Sequence, residues 1–357
     1  MSTAVSADGA AGGARSPRPS PSIGDVARLA GVSAQTVSRV STGAENVRPA
    51  TRDRVLAAMD ELGYSPNHAA RALRSGSFGT IGMIAHRLAR TGESRTVEAV
   101  VEAARAEGYT VSLVDVQSPS SDEVTKAASR LSHQSIDGLV IIRAETATPT
   151  NLVLPPRVPV VVSDSRFAGH HPAVGADQVT GTHLAVQHLI DLGHHTVHHL
   201  AGPASSAPAE IRVETWRAHL VGAGRPVPEP LRGDWSARSG YQHGQRIAEA
   251  VRRDAITAVF AANDEMAADL IRALSEAGLR VPRDVSVVGF DDIPLAEFLW
   301  PPLTTVQQDF HLIGRQLMDL LLRQIRDREV VADQRIIVPT RLVQRASTAP
   351  PRAGDPD

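Results

Sequence analysis

Residues 22–40 read SIGDVARLAGVSAQTVSRV, and the order of capping, apolar and small residues in this stretch decides the first domain. Ser22 and Asp25 stand three apart ahead of Ile23, Val26, Ala27 and Ala30, the spacing of a capping box that opens a short amphipathic helix. Gly31 ends that helix, Val32 plugs the corner, and Ser33 caps a second helix over 34–40 whose Val37 and Val40 face inward. After a loop centred on Gly43, Pro49 opens a third helix with Val55, Leu56, Met59 and Leu62 on one face, ended by Gly63. Arg48 holds the capping position of that helix and is a poor cap. Three short helices around one small core, the first two joined by a tight turn, predict a helix-turn-helix domain over 22–66.

A helix-turn-helix lays its second helix in the major groove of DNA, where the first residues reach base edges and polar neighbours fix register on phosphates. The candidate contacts here are Ser33 at the helix start and Ala34, Gln35, Thr36, Ser38 and Arg39 on the outward face. Gln35 has the amide that pairs with adenine, Arg39 the fork that pairs with guanine O6 and N7, and Ala34 only a small apolar contact. Net charge adds nothing to this reading. Residues 22–76 hold seven arginines against five acids, and Lys126 is the only lysine among 37 basic residues, a skew that reflects composition rather than nucleic-acid binding.

Outside this domain the texture differs. Residues 1–21 are rich in Ala, Gly, Ser and Pro and read as a disordered tail. Residues 67–79 read as a hinge and linker. From Thr80, short apolar runs such as 81–85, 111–116, 138–142 and 160–163 alternate with amphipathic helices, and the alternation continues through 197–201, 258–261 and 285–290. This order predicts an α/β class: two doubly wound subdomains with parallel sheets, facing a cleft, over 80–347. Residues 348–357 include three prolines and read as a second tail. Ligands of such folds sit beyond the carboxyl ends of strands, and spacing places Asp164, Asn263 and Asp291 there.

The motifs from Asp25-Val26-Ala27 through Gln35-Thr36-Val37-Ser38-Arg39-Val40 to Leu62-Gly63-Tyr64-Ser65-Pro66-Asn67 resemble the LacI/GalR repressor family. The resemblance extends over roughly 22–349, through Leu200-Ala201-Gly202-Pro203, Gly233-Asp234-Trp235-Ser236, Ala262-Asn263-Asp264, Val287 to Asp292 and Pro302 to Val306. It implies that the segment from Asn67 forms a hinge helix on DNA, with Leu73 wedged into the minor groove at the centre of the site. It also implies a periplasmic-binding-protein-like sensor and an effector set of Asp164, Arg212, Trp235, Asn263 and Asp291. These types suit a sugar, because planar polar groups pair with vicinal hydroxyls and an aromatic face covers the C–H side of a ring. His86 stands where the family has a small hydroxyl residue, so the pocket floor differs and the ligand need not be the same galactoside.

The expected molecule is therefore a cytoplasmic homodimeric repressor on a pseudo-palindromic operator, controlled by a sugar, with no cofactor and no catalytic residue. Family members that tetramerise use a C-terminal leucine-heptad helix, and no heptads occur after Thr348. The absence of cysteine, of an apolar run of about 18 residues and of an apolar leader argues against disulfides, thiol chemistry, membrane insertion and secretion. His194-His195 and His198-His199 raise the thought of a metal, yet the pairs straddle a turn and an apolar strand with no nearby acid to complete a set. Two alternatives stay open: a regulator that needs a purine co-repressor, and a sugar-binding transport protein of the same sensor fold.

Overall fold

The computed structural model describes residues 21–41, 44, 46–64, 77–116, 121–142, 154, 158–163, 170–253, 255–328 and 334–352. Asn67, Leu73 and Asp164 lie outside these residues, as do positions 1–20 of the expected tail and 67–76 of the expected hinge. The chain divides into two compact units, Met1–Gly76 and Ser77–Asp357.

The first unit is built from α1 (Ile23–Ala30), α2 (Ala34–Ser41) and α3 (Pro49–Leu62). The capping box is present: the Ser22 hydroxyl accepts from the Asp25 amide and the Asp25 carboxylate accepts from the Ser22 amide at 2.9 Å. Gly31 takes the left-handed conformation, φ 64°, that closes α1. Ser33 caps α2, its hydroxyl accepting the Thr36 amide at 3.1 Å. Arg48 makes no side-chain cap bond to α3. The core joins Val26, Ala27 and Ala30 to Val37 and Val40 and to Val55, Ala58 and Met59. Leu56, expected inside, is exposed. Val55, Ala58, Met59 and Leu62 follow helical spacing, and Leu56 stands about 100° away from that stripe.

The second unit holds two six-stranded sheets of the same plan. The first subdomain contains β1 (Thr80–His86), α4 (Thr91–Ala106), β2 (Thr110–Val116), α5 (Ser121–His133), β3 (Gly138–Ile142), β4 (Val160–Ser163) and β5 (Ala173–Ala176). The chain then crosses to α6 (Gln178–Asp191), β6 (His198–Ala201), α7 (Ala207–Gly222), β7 (Leu231–Arg232), α8 (Ala237–Val251), β8 (Ala258–Ala261), α9 (Asp264–Glu276), β9 (Ser286–Asp291) and β10 (Thr304–Gln308). It returns with α10 (Phe310–Leu322) and β11 (Arg335–Val338), and ends with β12 (Thr340–Val343) in the second sheet. The orders are β2-β1-β3-β4-β5-β11 and β7-β6-β8-β9-β10-β12. Each order reverses beside its first strand, and the crevice outside the carboxyl ends of the strands at that switch is where such sheets take ligands.

Parallel sheets were expected, and β12 departs from this by pairing antiparallel with β10. The reason is geometric. β11 runs toward the cleft parallel to β5, a single residue separates it from β12, and a chain that continues straight into the facing sheet must run away from the cleft there. Both faces of each sheet are covered. Leu317, Leu320 and Leu321 of α10 pack with Val100 of α4 on one face of the first sheet, and Leu131 and Val124 of α5 lie on the other. Leu270 and Ile247 of α9 and α8 cover one face of the second sheet, and Trp216, Leu220 and Leu189 of α7 and α6 the other.

Two boundaries move. Ser77, Phe78 and Gly79, expected in the linker, are held by the Asp137 carboxylate, which accepts from the Ser77 hydroxyl and the Phe78 and Gly79 amides at 2.7 Å each. Thr348 and Ala349, expected in the tail, are bonded into the second subdomain through His188 and Ser286. Helices α8 and α9 approach closely at Gly240, where an added Cβ would stand 2.3 Å from the Met266 carbonyl oxygen. Gly240→Ala should therefore cost the sensor about 2–3 kcal/mol, read as a lower melting temperature in scanning calorimetry; an unchanged melt would contradict this packing.

Candidate effector pocket and DNA-reading helix

A cavity of about 750 Å³ opens between the two subdomains, within the size range of small-molecule sites. Its second-subdomain wall brings together Arg212, Trp235, Asn263 and Asp291, four residues expected there. His86 is not among the lining residues. It is the last residue of β1 and is buried, and the lip is formed by the next residue, Arg87, in a left-handed conformation.

Arg212 projects from α7 and is 1 % exposed. A guanidinium at such depth needs partners, and each of its three nitrogens faces one. Its Nε donates to Gln178 Oε1 at 2.8 Å, Nη1 donates to the Ala262 carbonyl, and Nη2 lies 3.8 Å from Asp291 Oδ1. Its plane covers the Phe290 ring at 3.7 Å, with Trp235 at 5.5 Å. Gln178 Nε2 in turn donates to Gln308 Oε1 at 3.0 Å, and Gln308 Nε2 donates to Asp291. The four side chains close a ring.

Asp291 ends β9 with φ 111° and Asp292 follows with φ 53°, so two successive non-glycine residues hold left-handed backbone. The corner is held against that strain by Gln308 donating to Asp291, and by Arg345 and Gln307 donating to Asp292 at 2.7 Å. Trp235 is buried with φ 75°, its ring over Gly202, where an added Cβ would meet it at 2.5 Å. The indole N–H of Trp235 has no hydrogen-bond partner among the described residues. Asn263 caps α9 through Oδ1 to the Met266 amide, and its Nδ2 donates to the Trp235 carbonyl at 3.0 Å and to Glu265 Oε2 at 2.8 Å. Beneath it Asp264 is fully buried; burial, then the charge of Asp291, pushes its carboxyl well up, while Thr305 and the Ile293 amide donate to it.

The wall from the first subdomain was not foreseen. Arg87, Arg90, Thr91, Glu93 and Asp115 line it, with Arg90 Nη1 3.5 Å from Glu93 Oε1 and the Thr91 hydroxyl donating across the cleft to Glu265. Gln178 and Gln308 were also missed; the motif read at 302–306 stops two residues short of Gln308.

The first unit presents Ala34, Gln35 and Arg39 exposed on α2, while Thr36 and Ser38 are half-buried. The hydroxyls of Ser33 and Thr36 are 3.0 Å apart, so both serve the helix start. Residues 22–67 match the bacterial regulatory proteins of the lacI family, and residues 186–348 match the periplasmic binding protein-like domain. The lactose operon repressor of Escherichia coli (strain K12) is 38 % identical over 338 residues, covering 92 % of this chain and 90 % of the relative.

The chain belongs to the lacI family. A crystal structure of the lac repressor dimer bound to operator and the anti-inducer ONPF superposes with a TM-score of 0.80 at 34 % identity, over 92 % of this chain and 99 % of that one. A complex of the transcriptional regulator CelR with cellobiose gives 0.68 at 31 % identity, over 92 % and 99 %.

In this lacI-family chain the paired histidines turn to separate partners. His194 bonds Thr257 and Ala349, and His198 and His199 alternate across the faces of β6. Burial pushes the His199 imidazole down to about 3, the Phe260 carbonyl opposing the shift and the charges of Arg212 and Arg232 adding to it. A neutral ring facing a carbonyl must carry its proton on Nδ1, 2.9 Å from the Phe260 oxygen. Because this pKa lies below the ordinary 6.5, the unfolded chain takes a proton first as pH falls, and stability is lost between pH 6.5 and about 3. His199→Phe should flatten the pH dependence of unfolding in that window by up to about 1.4 kcal/mol per pH unit, measured by urea titration; an unchanged slope would contradict a neutral His199.

Proposed function

We propose that the chain is a cytoplasmic transcriptional repressor that binds a pseudo-palindromic operator as a homodimer, and that a sugar seated in the cavity lowers its operator affinity. The chain is a DNA-binding regulator and not an enzyme; its relatives are repressors, and no described helix is long and apolar enough to cross a membrane. One observation carries the sugar reading. The cavity between the subdomains gathers a buried guanidinium, a carboxylate at a strand end, a carboxamide and an indole. Ligand hydroxyls can donate to Asp291 while the apolar side of a sugar ring lies on Trp235, and a ring filling the cavity would bear on both subdomains at once.

For DNA, Gln35 and Arg39 stand exposed on α2 and are proposed to read base edges, with Ala34 in apolar contact and Ser33, Thr36 and Ser38 toward phosphates. Asn67 and Leu73 complete the proposed set, as Asp164 completes that of the effector. A second copy is proposed to cover the apolar patch of Leu295, Phe298 and Trp300, which are 54 %, 75 % and 93 % exposed in one segment of the second subdomain.

Operator sites chosen from a random pool and titrated by fluorescence anisotropy test the reading. Arg39→Ala should weaken binding by about 1–3 kcal/mol, most at sites with guanine at one position. A panel of lactose, cellobiose and ribose should contain at least one sugar that weakens operator binding; equal affinity with and without every sugar tried, ligands from other classes excepted, would remove the sugar reading. Sedimentation should show dimers, and Phe298→Glu with Trp300→Glu should yield monomers with weakened operator binding; dimers that persist would place the interface elsewhere.

A further inference from the structure

Three helix N-termini converge on the cavity. Thr91, Gly92 and Glu93 of α4, Ser236 and Ala237 at the start of α8, and Asn263 and Glu265 at the start of α9 all line it. A helix N-terminus favours an anion through its unbonded N–H groups and its dipole, so three of them would make a strong phosphate or carboxylate site if left open. In this chain each carries an acid of the protein in or beside its first turn. Glu93 is in the first turn of α4 and is 1 % exposed. Asp234 accepts from the Ser236 amide at 2.9 Å and from its hydroxyl at the start of α8. Burial alone would raise the Asp234 carboxyl, but the bonds from Ser236 and Ser239 outweigh it and hold it below the ordinary carboxylate range. Glu265 occupies the first turn of α9 beside Asp264, and takes hydrogen bonds from Asn263 and from Thr91 across the cleft.

The rest of the lining agrees. Among the described residues it presents five carboxylates against three guanidiniums. Arg90 faces Glu93 at 3.5 Å, and Arg212 is committed to Asp291, Gln178 and the Ala262 carbonyl. A carboxylate only accepts hydrogen bonds, and so does a fully ionised phosphate, so the two repel where a hydroxyl would donate.

We propose that the cavity takes an uncharged, hydroxyl-rich ligand and turns away phosphorylated and carboxylated sugars, with Glu93, Asp234 and Glu265 as the residues that set this choice. The inference rests on the sugar reading for the identity of the ligand but concerns its charge.

Isothermal titration of the full chain at physiological salt would compare galactose with galactose 1-phosphate and galacturonate, and ribose with ribose 5-phosphate. Thermal melts with and without inorganic phosphate would be run on the wild type, Glu265→Gln and Asp234→Asn. The neutral member of any pair that binds should bind about 30-fold or more tightly than its charged partners, the gap should narrow at least about threefold in Glu265→Gln, and phosphate should stabilise the variants more than the wild type. A charged sugar that binds as tightly as its neutral partner, or phosphate that stabilises the wild type as much as the variants, would overturn the proposal while leaving the sugar reading intact. If no sugar binds but an uncharged nucleobase does, the sugar reading and the hydroxyl-rich part of the proposal both fall, and the phosphate melts decide the exclusion of charge. If nothing binds, the phosphate melts decide it.

Discussion

The buried guanidinium of Arg212 is the constraint around which the sensor is arranged. A charge at 1 % exposure needs partners, and its three nitrogens face parts of the chain far apart in sequence: Gln178 where α6 begins, Ala262 after β8, Asp291 at the end of β9. Gln308 closes the ring between Gln178 and Asp291. Two of these residues sit at places where the chain passes between subdomains, Gln178 just after β5 and Gln308 just before α10. The floor of the cavity and two of the three crossing points are therefore one hydrogen-bonded unit. A ligand that draws on Asp291 alters the partner of Arg212 and of Gln308 together.

The same economy explains the strained backbone. Asp291, Asp292 and Trp235 hold positive φ, which costs of order 1–3 kcal/mol each outside glycine. Each is held by bonds that reach outside its own loop: Gln308 and Arg345 at the aspartates, Asn263 on the Trp235 carbonyl. Asn263 links these features, because its one side chain caps α9, holds the Trp235 carbonyl and braces Glu265. A residue so fully used by the fold still lines the cavity, so its structural and binding roles are not alternatives.

Much of this was legible in the sequence for physical reasons, and the misses have reasons too. Strong periodicity and capping residues disclosed α1 and α2, since Ser22, Asp25, Gly31 and Ser33 act within a few residues of their own positions. Leu56 misled because an apolar residue beside a stripe looks like part of it until the 100° step per residue is counted. The antiparallel β12 depends on where the chain crosses between subdomains, which no local pattern records. Arg212, Trp235, Asn263 and Asp291 emerged from motif resemblance, whereas Arg90, Glu93 and Glu265 look in sequence like ordinary charges on helix starts. Only the convergence of three helices turns them into a lining.

How the cavity could speak to the DNA-binding unit follows from Asp137. Its carboxylate takes three donors from Ser77, Phe78 and Gly79, so the point at which the chain enters the sensor is fixed to the loop before β3. That loop belongs to the first subdomain, as do Arg90, Thr91 and Glu93 on the cavity wall. A ligand that changes the angle between the subdomains must then carry the entry points along. In the proposed dimer, two such entry points would change their separation with that angle. Coupling of this kind is reciprocal, so whatever the ligand does to operator affinity the operator does to ligand affinity, typically by about 1–3 kcal/mol. The Thr91 to Glu265 hydrogen bond spans the same gap. It ties the two cavity walls directly, so a ligand that alters the angle between them alters that bond as well.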